Sequence, residues 1–156
     1  MRQSATVVLP MKDVPAGEGA RAEIRRAADD YRDRLAWPVR VIGTSLVLPL
    51  ANGLAAVTVP PSMAHRTLRN VERFGGSGPV TVEPGDPGRV IFLVDANDLV
   101  VPQAELPPGV RFLCAPRVVA LPPTDLLSGP VDWVRAPSAR NRWLPSAAAV
   151  LAALPR

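Results

Sequence analysis

The chain has 156 residues, 47% of them hydrophobic and 21% charged, with a formal net charge of +4. That length and balance describe one ordinary folded domain with a real core and exclude an intrinsically disordered segment. A single cysteine excludes a disulfide framework and a cysteine-based zinc site, and no apolar run approaches the roughly 18 residues of a membrane-spanning helix.

The 19 prolines are scattered between apolar runs without a repeat, so they read as strand ends and rigid turns rather than as a linker. Lys12 is the only lysine, and arginine supplies the rest of the basic charge. A high-GC genome produces the same bias, so the charge permits a polyanionic partner without demanding one. The start MRQSATVVLPMKD lacks a cationic segment followed by a long apolar core, which predicts no secretory signal and a cytoplasmic location.

Residues 1–16 hold one apolar run, Thr6–Leu9, closed by Pro10; it reads as an edge strand or a loosely packed arm ahead of a single domain over 17–156. From Glu18 to Leu35 the pattern is helical. Ile24, Ala27, Ala28, Tyr31 and Leu35 recur every three or four residues, and Arg25–Asp29 and Arg26–Asp30 are spaced as helix charge pairs. Pro38 ends that helix.

Val39–Pro49 and Gly53–Val59 are β-rich runs joined by Ala51-Asn52-Gly53, and Asn-Gly between such runs predicts a hairpin. Both runs are apolar on two faces, as in a covered sheet. A second helix is expected over Ser62–Phe74, with Ala64, Leu68 and Val71 buried and His65, Arg66, Arg69, Glu72 and Arg73 on the other side; Gly75-Gly76 stops it. Val80–Glu83 and Arg89–Val94 flank the turn-rich Pro84–Gly88, a second hairpin. Asp95–Glu105 reads as a short helical or irregular segment. Val110–Cys114, Val118–Leu121 and Val131–Val134 complete the sheet, with a turn at Ser128-Gly129-Pro130. Ser146–Leu154 is a terminal helix with Val150, Leu151 and Leu154 free to dock. Runs of strands with segregated helices make this an α+β chain, mostly antiparallel with flanking helices.

Candidate chemistry is sparse. His65 is the only histidine and reads as a solvated helix position, since a triad or a histidine metal site needs partners it lacks. Asp95-Ala96-Asn97-Asp98 could set two carboxylates beside a turn, but Asp and Asn are ordinary turn residues. Gly75-Gly76-Ser77-Gly78 follows a helix rather than a strand and lacks a P-loop lysine, so it reads as a helix stop. Cys114 reads as a small buried hydrophobe. Trp133 and Trp143 read as core or interface side chains. Arg66, Arg69 and Arg73 share one helical face, and Arg135, Arg140 and Arg142 form a second basic cluster. Guanidinium forks suit phosphate oxygens, which makes these the best nucleic-acid candidates.

Val118–Thr124 (VVALPPT), then Gly129 and Val131-Asp132-Trp133, resembles the late motif of bifunctional DNA primase/polymerase (prim-pol) N-terminal domains, with Leu121 where that family usually has alanine. The closing Asn141-Arg142-Trp143-Leu144-Pro145 is similar to the end of short prim-pol-like proteins of high-GC Gram-positive bacteria. The amphipathic first helix and the Gly78–Val82 strand also fit, and the resemblance spans about residues 20–150.

It implies a prim-pol-like α+β fold with metal-holding acids at alternating positions of one strand. The matching run here is Gly53–Pro60, where Thr58 and Pro60 occupy the pocket-facing positions; no acid lies between Leu50 and Glu72. The family's Gly-x-His would fall at Gly88-Arg89-Val90, without the histidine, and its cysteine-containing insertion is missing. Without those carboxylates the main electrostatic aid to phosphoryl transfer is gone. The expectation is therefore a catalytically inactive prim-pol-like domain with no metal and no cofactor, acting as a nucleic-acid-binding or regulatory module. DNA or RNA would be held through phosphate contacts by Arg66, Arg69, Arg73, Arg117, Arg135, Arg140 and Arg142. Two alternatives stay open. One is a protein-interaction or structural module, a homodimer included, using apolar runs such as Leu99–Val101. The other is a residual nucleotide binder using Asp95 and Asp98.

Overall fold

A computed structural model describes residues 17–74, 78–138 and 143–155. The proposed arm at 1–16, Gly75–Ser77 and Ala139–Arg142 lie outside the described residues. Within them the chain is α+β, with helices packed on open antiparallel sheets.

Helix α1 (Glu18–Leu35) matches its predicted bounds and buries Ile24, Ala28, Tyr31 and Leu35, the apolar stripe its spacing implies. It stops at Ala36, whose φ of 56 is left-handed, two residues ahead of Pro38. The charge pairs along it differ from those expected. Among the described residues, Asp29 pairs with Arg32 at 3.6 Å and Asp30 with Arg34 at 2.9 Å. In both the acid precedes the base, the order that suits the helix dipole; the Arg25–Asp29 order opposes it.

Strands β1 (Arg40–Ile42) and β2 (Ser45–Pro49) form a hairpin around Gly43, whose φ is 61. β3 (Leu54–Val59) is followed by helix α2 (Pro61–Arg73), then by β4 (Val80–Glu83) and β5 (Arg89–Asp95), which make the second expected hairpin. Its turn end is tied by two hydrogen bonds from Arg89 to Glu83, at 3.1 and 3.2 Å. A single 3-10 turn (Gln103–Glu105) lies in the segment that was ambiguous in the sequence. Then come β6 (Arg111–Leu113), β7 (Val118–Ala120), the short pair β8 (Asp125–Leu126) and β9 (Gly129–Pro130), β10 (Asp132–Arg135) and helix α3 (Ala147–Ala152).

The strands divide into two main sheets. A central sheet has the order β10-β4-β5-β3-β6 and a smaller one the order β1-β2-β7. This overturns the Asn-Gly hairpin. Asn52 and Gly53 do take the positive φ of a tight reversal, 56 and 88. However, β2 is bonded on both sides by β1 and β7, and β3 by β5 and β6. Turn chemistry fixes the reversal and not the partner; here it carries the chain from one sheet to the other.

The central sheet separates two cores with the period of two that a strand imposes. Ala55, Val57 and Val59 of β3 and Val90, Phe92 and Val94 of β5 pack with Val71 of α2 and Val150 of α3. Ala56, Ile91 and Leu93 lie in the other core, with Ile24 and Leu35 of α1 and Leu46 and Leu48 of β2. Tyr31, Trp37 and Trp133 cluster there with ring centroids 5.8 to 6.3 Å apart. Such pairs add about 0.5–1.5 kcal/mol beyond the area they bury.

Cys114 is exposed, not buried. β6 ends at the buried Leu113, and the chain then turns, with the Arg117 amide donating to the Cys114 carbonyl at 3.1 Å.

Candidate nucleic-acid interface

Helix α2 begins with proline in its first turn, where a missing N–H costs nothing. Its inner face differs in detail from the predicted stripe. Val71 and Thr67 are buried, whereas Ala64 and Leu68 are half-buried. Thr67 tolerates burial because its hydroxyl donates to the Met63 carbonyl at 2.8 Å. Asn70 donates from its side-chain amide to the Ala153 carbonyl at 2.8 Å, which pins the end of α3 against α2.

That docking creates a groove of about 400 Å³ lined by Arg66, Arg69, Asn70, Arg73, Leu154 and Pro155. The three arginines at i, i+3 and i+7 therefore do converge. All three are exposed, and among the described residues none has an ion-pair partner. Glu72, the acid on this half of the helix, is occupied. Arg135 reaches it from β10 at 2.6 Å and also donates to the Gly78 carbonyl at 3.5 Å.

The remaining predicted arginines fare differently. Arg135 is half-buried in that bridge, so it ties β10 to α2 rather than presenting a free guanidinium. Arg117 is exposed in the β6–β7 loop and does not line the groove. Arg140 and Arg142 lie outside the described residues.

Phe74, which the sequence reading passed over, stands at the end of this helix and is 77% exposed. Its amide caps α2 by donating to Asn70 and Val71 carbonyls, at 3.2 and 3.3 Å. The legible signal was an aromatic between the last basic helix residue and a run of glycines. Trp143, read as core or interface, is also exposed, while its neighbour Leu144 packs on the α1 core. A Cβ on Gly78 would collide with the Pro145 ring, so the backbone needs glycine there.

The other candidates resolve as follows. Thr58, the position the resemblance makes pocket-facing, is buried, and β3 is covered on both faces by packed apolar side chains. Arg89, where the family's nucleotide-contacting segment would fall, is held by Glu83. Asp95 accepts the Asn97 amide at 3.0 Å, and Asn97 and Asp98 both take positive φ, which is turn geometry. His65 is exposed on α2. Among the described residues no three His, Cys, Asp or Glu side chains are grouped to hold a metal ion, and no helix is long and apolar enough to cross a membrane. In the Leu99–Val101 run, Leu99 is half-buried against the core under α2 and Val100 is 85% exposed.

A second hollow of about 370 Å³ lies beside α1, lined in part by Tyr31, Arg34, Leu35, Trp133 and Pro137. Its polar groups are consumed internally. Trp133 donates to the Tyr31 hydroxyl at 3.2 Å, which donates to the Pro122 carbonyl at 2.8 Å. Burial pushes the Tyr31 phenol up to about 12; the Trp133 hydrogen bond opposes this and the Asp30 carboxylate adds to it. Comparison with models of protein families, with curated proteins and with solved structures finds no match to this chain.

Proposed function

We propose that the protein is a nucleic-acid-binding or regulatory module that grips the phosphate backbone along α2 and does not perform polymerase chemistry. The observation that carries this reading is the convergence of Arg66, Arg69 and Arg73 on one groove, exposed and without acidic partners among the described residues. Seven residues of helix at about 1.5 Å each set Arg66 and Arg73 about 10 Å apart along the axis, a span that covers successive phosphates. The prim-pol resemblance belongs to the same proposal. The buried, carboxylate-free β3 supports the inactive form of it, because the strand that should carry metal ligands carries Ala, Val and Thr.

The test is fluorescence anisotropy with labelled DNA and RNA at several salt concentrations. Each phosphate contact releases a counterion, so the logarithm of affinity falls with the logarithm of salt at about 0.7–0.9 per contact. Replacing Arg66, Arg69 and Arg73 by alanine should flatten that slope by about 2 to 3 and weaken binding to all sequences alike. Absence of any complex at low salt overturns the reading.

A further inference from the structure

Phosphate contacts alone do not account for Phe74. A ring that is 77% exposed, held at the capped end of α2 one residue beyond Arg73, gains nothing from the core. It follows Arg73 directly, at the end of the groove where Arg66, Arg69 and Arg73 converge without acidic partners among the described residues. A positive groove with an aromatic at its end is the arrangement by which proteins hold unpaired nucleotides, the groove following the backbone and the ring stacking on a base. In a duplex each base face is already covered by its neighbours. A side-chain ring beside the phosphates therefore finds a partner only where the bases are unstacked.

We infer that α2 takes a single strand, with Arg66, Arg69 and Arg73 on successive phosphates and Phe74 stacked on an unpaired base. This rests on the phosphate-binding reading above and adds to it the class of ligand and a residue that sets the preference. Opposite the arginines the groove is closed by Leu154, which is buried in the core, and by the half-buried Pro155. Phe74 also contributes through a route that salt does not screen, so its removal and that of an arginine leave different signatures.

The experiment compares a short labelled single strand with the same strand annealed to its complement, for the unaltered protein and for F74A, F74W and R69A. Phe74 is exposed, so F74A should fold normally, and its melting temperature checks this. The expected result is tighter binding of the single strand than of the duplex. F74A should lose roughly tenfold in affinity for the single strand, little for the duplex, and keep the salt slope. F74W should retain the preference. R69A should weaken both ligands and flatten the slope by about one. Equal affinity for both ligands, or F74A binding the single strand as well as the unaltered protein does, overturns the stacking role while leaving the phosphate reading intact. Failure of every nucleic acid to bind overturns both.

Discussion

The Arg135 guanidinium crosses from β10 to the Glu72 carboxylate on α2 at 2.6 Å, and so removes the acid that would otherwise stand in the arginine stripe. Glu72 lies three positions after Arg69, close enough on a helix to pair with it. Arg135→Ala should therefore release Glu72 toward Arg69 and lower nucleic-acid affinity several-fold, although Arg135 itself lines no part of the groove. Adding Glu72→Gln to that variant should restore the affinity, as titration by anisotropy would show. The cost in stability should stay near or below about 1 kcal/mol, because Glu72 is largely exposed.

Two buried threonines should respond in opposite ways to the same isosteric change. Thr124 accepts the Leu46 amide at 2.8 Å and donates to the Leu46 carbonyl at 3.0 Å, standing in for a strand at the end of the small sheet. Thr124→Val leaves that buried amide unpaired and should cost about 1–3 kcal/mol in urea unfolding. Thr81, on β4, is buried with a hydroxyl that has no partner among the described residues. Thr81→Val should be neutral or stabilising by up to about 1 kcal/mol, and equal losses in the two variants would contradict this account.

Tyr31 predicts an alkaline loss of stability. Its phenol titrates near 12 in the folded chain and at about 10 when unfolded. Between those values the unfolded state binds fewer protons, so stability is intact below pH ~10 and falls as pH rises toward 12. The loss should be of the order of 1–2 kcal/mol, less than the full shift implies because the ring lies at the rim of a hollow. Tyr31 is the only tyrosine, so tyrosinate absorbance reports it directly. Tyr31→Phe should remove this part of the pH dependence.

Cys114 should react with a thiol reagent in the native protein, at one equivalent and without unfolding, because it is exposed at the end of β6. A thiol that reacts only in denaturant would contradict the end of that strand.

What the sequence made legible was local. The bounds of α1, the β4–β5 hairpin and the shared face of Arg66, Arg69 and Arg73 each follow from spacing within a few turns or one short loop. What it hid was pairing at a distance. Asn52-Gly53 announced a reversal correctly, but nothing in two residues says that β2 belongs with β1 and β7. Arg135 looked like a free phosphate ligand because its partner Glu72 lies on another element. Cys114 sat in an apolar run whose last residue happened to fall beyond the ladder. Phe74 was overlooked because periodicity describes the faces of a helix and says little about a side chain at its end.

The switch of sheets at Asn52-Gly53 bears on how the chain folds. Because β2 is not completed by its neighbour β3, it must wait for β7 and for Thr124, 78 positions away from Leu46. Closing so long a loop costs entropy before any pairing repays it, which places folding in the slower regime of non-local β topologies, about milliseconds to seconds. The β4–β5 hairpin, with its five-residue connection, can form early and receive β3. Until β7 arrives, Leu46 and Leu48 remain uncovered on an unpaired strand edge, so the interval before the small sheet closes is when the chain is most exposed to aggregation.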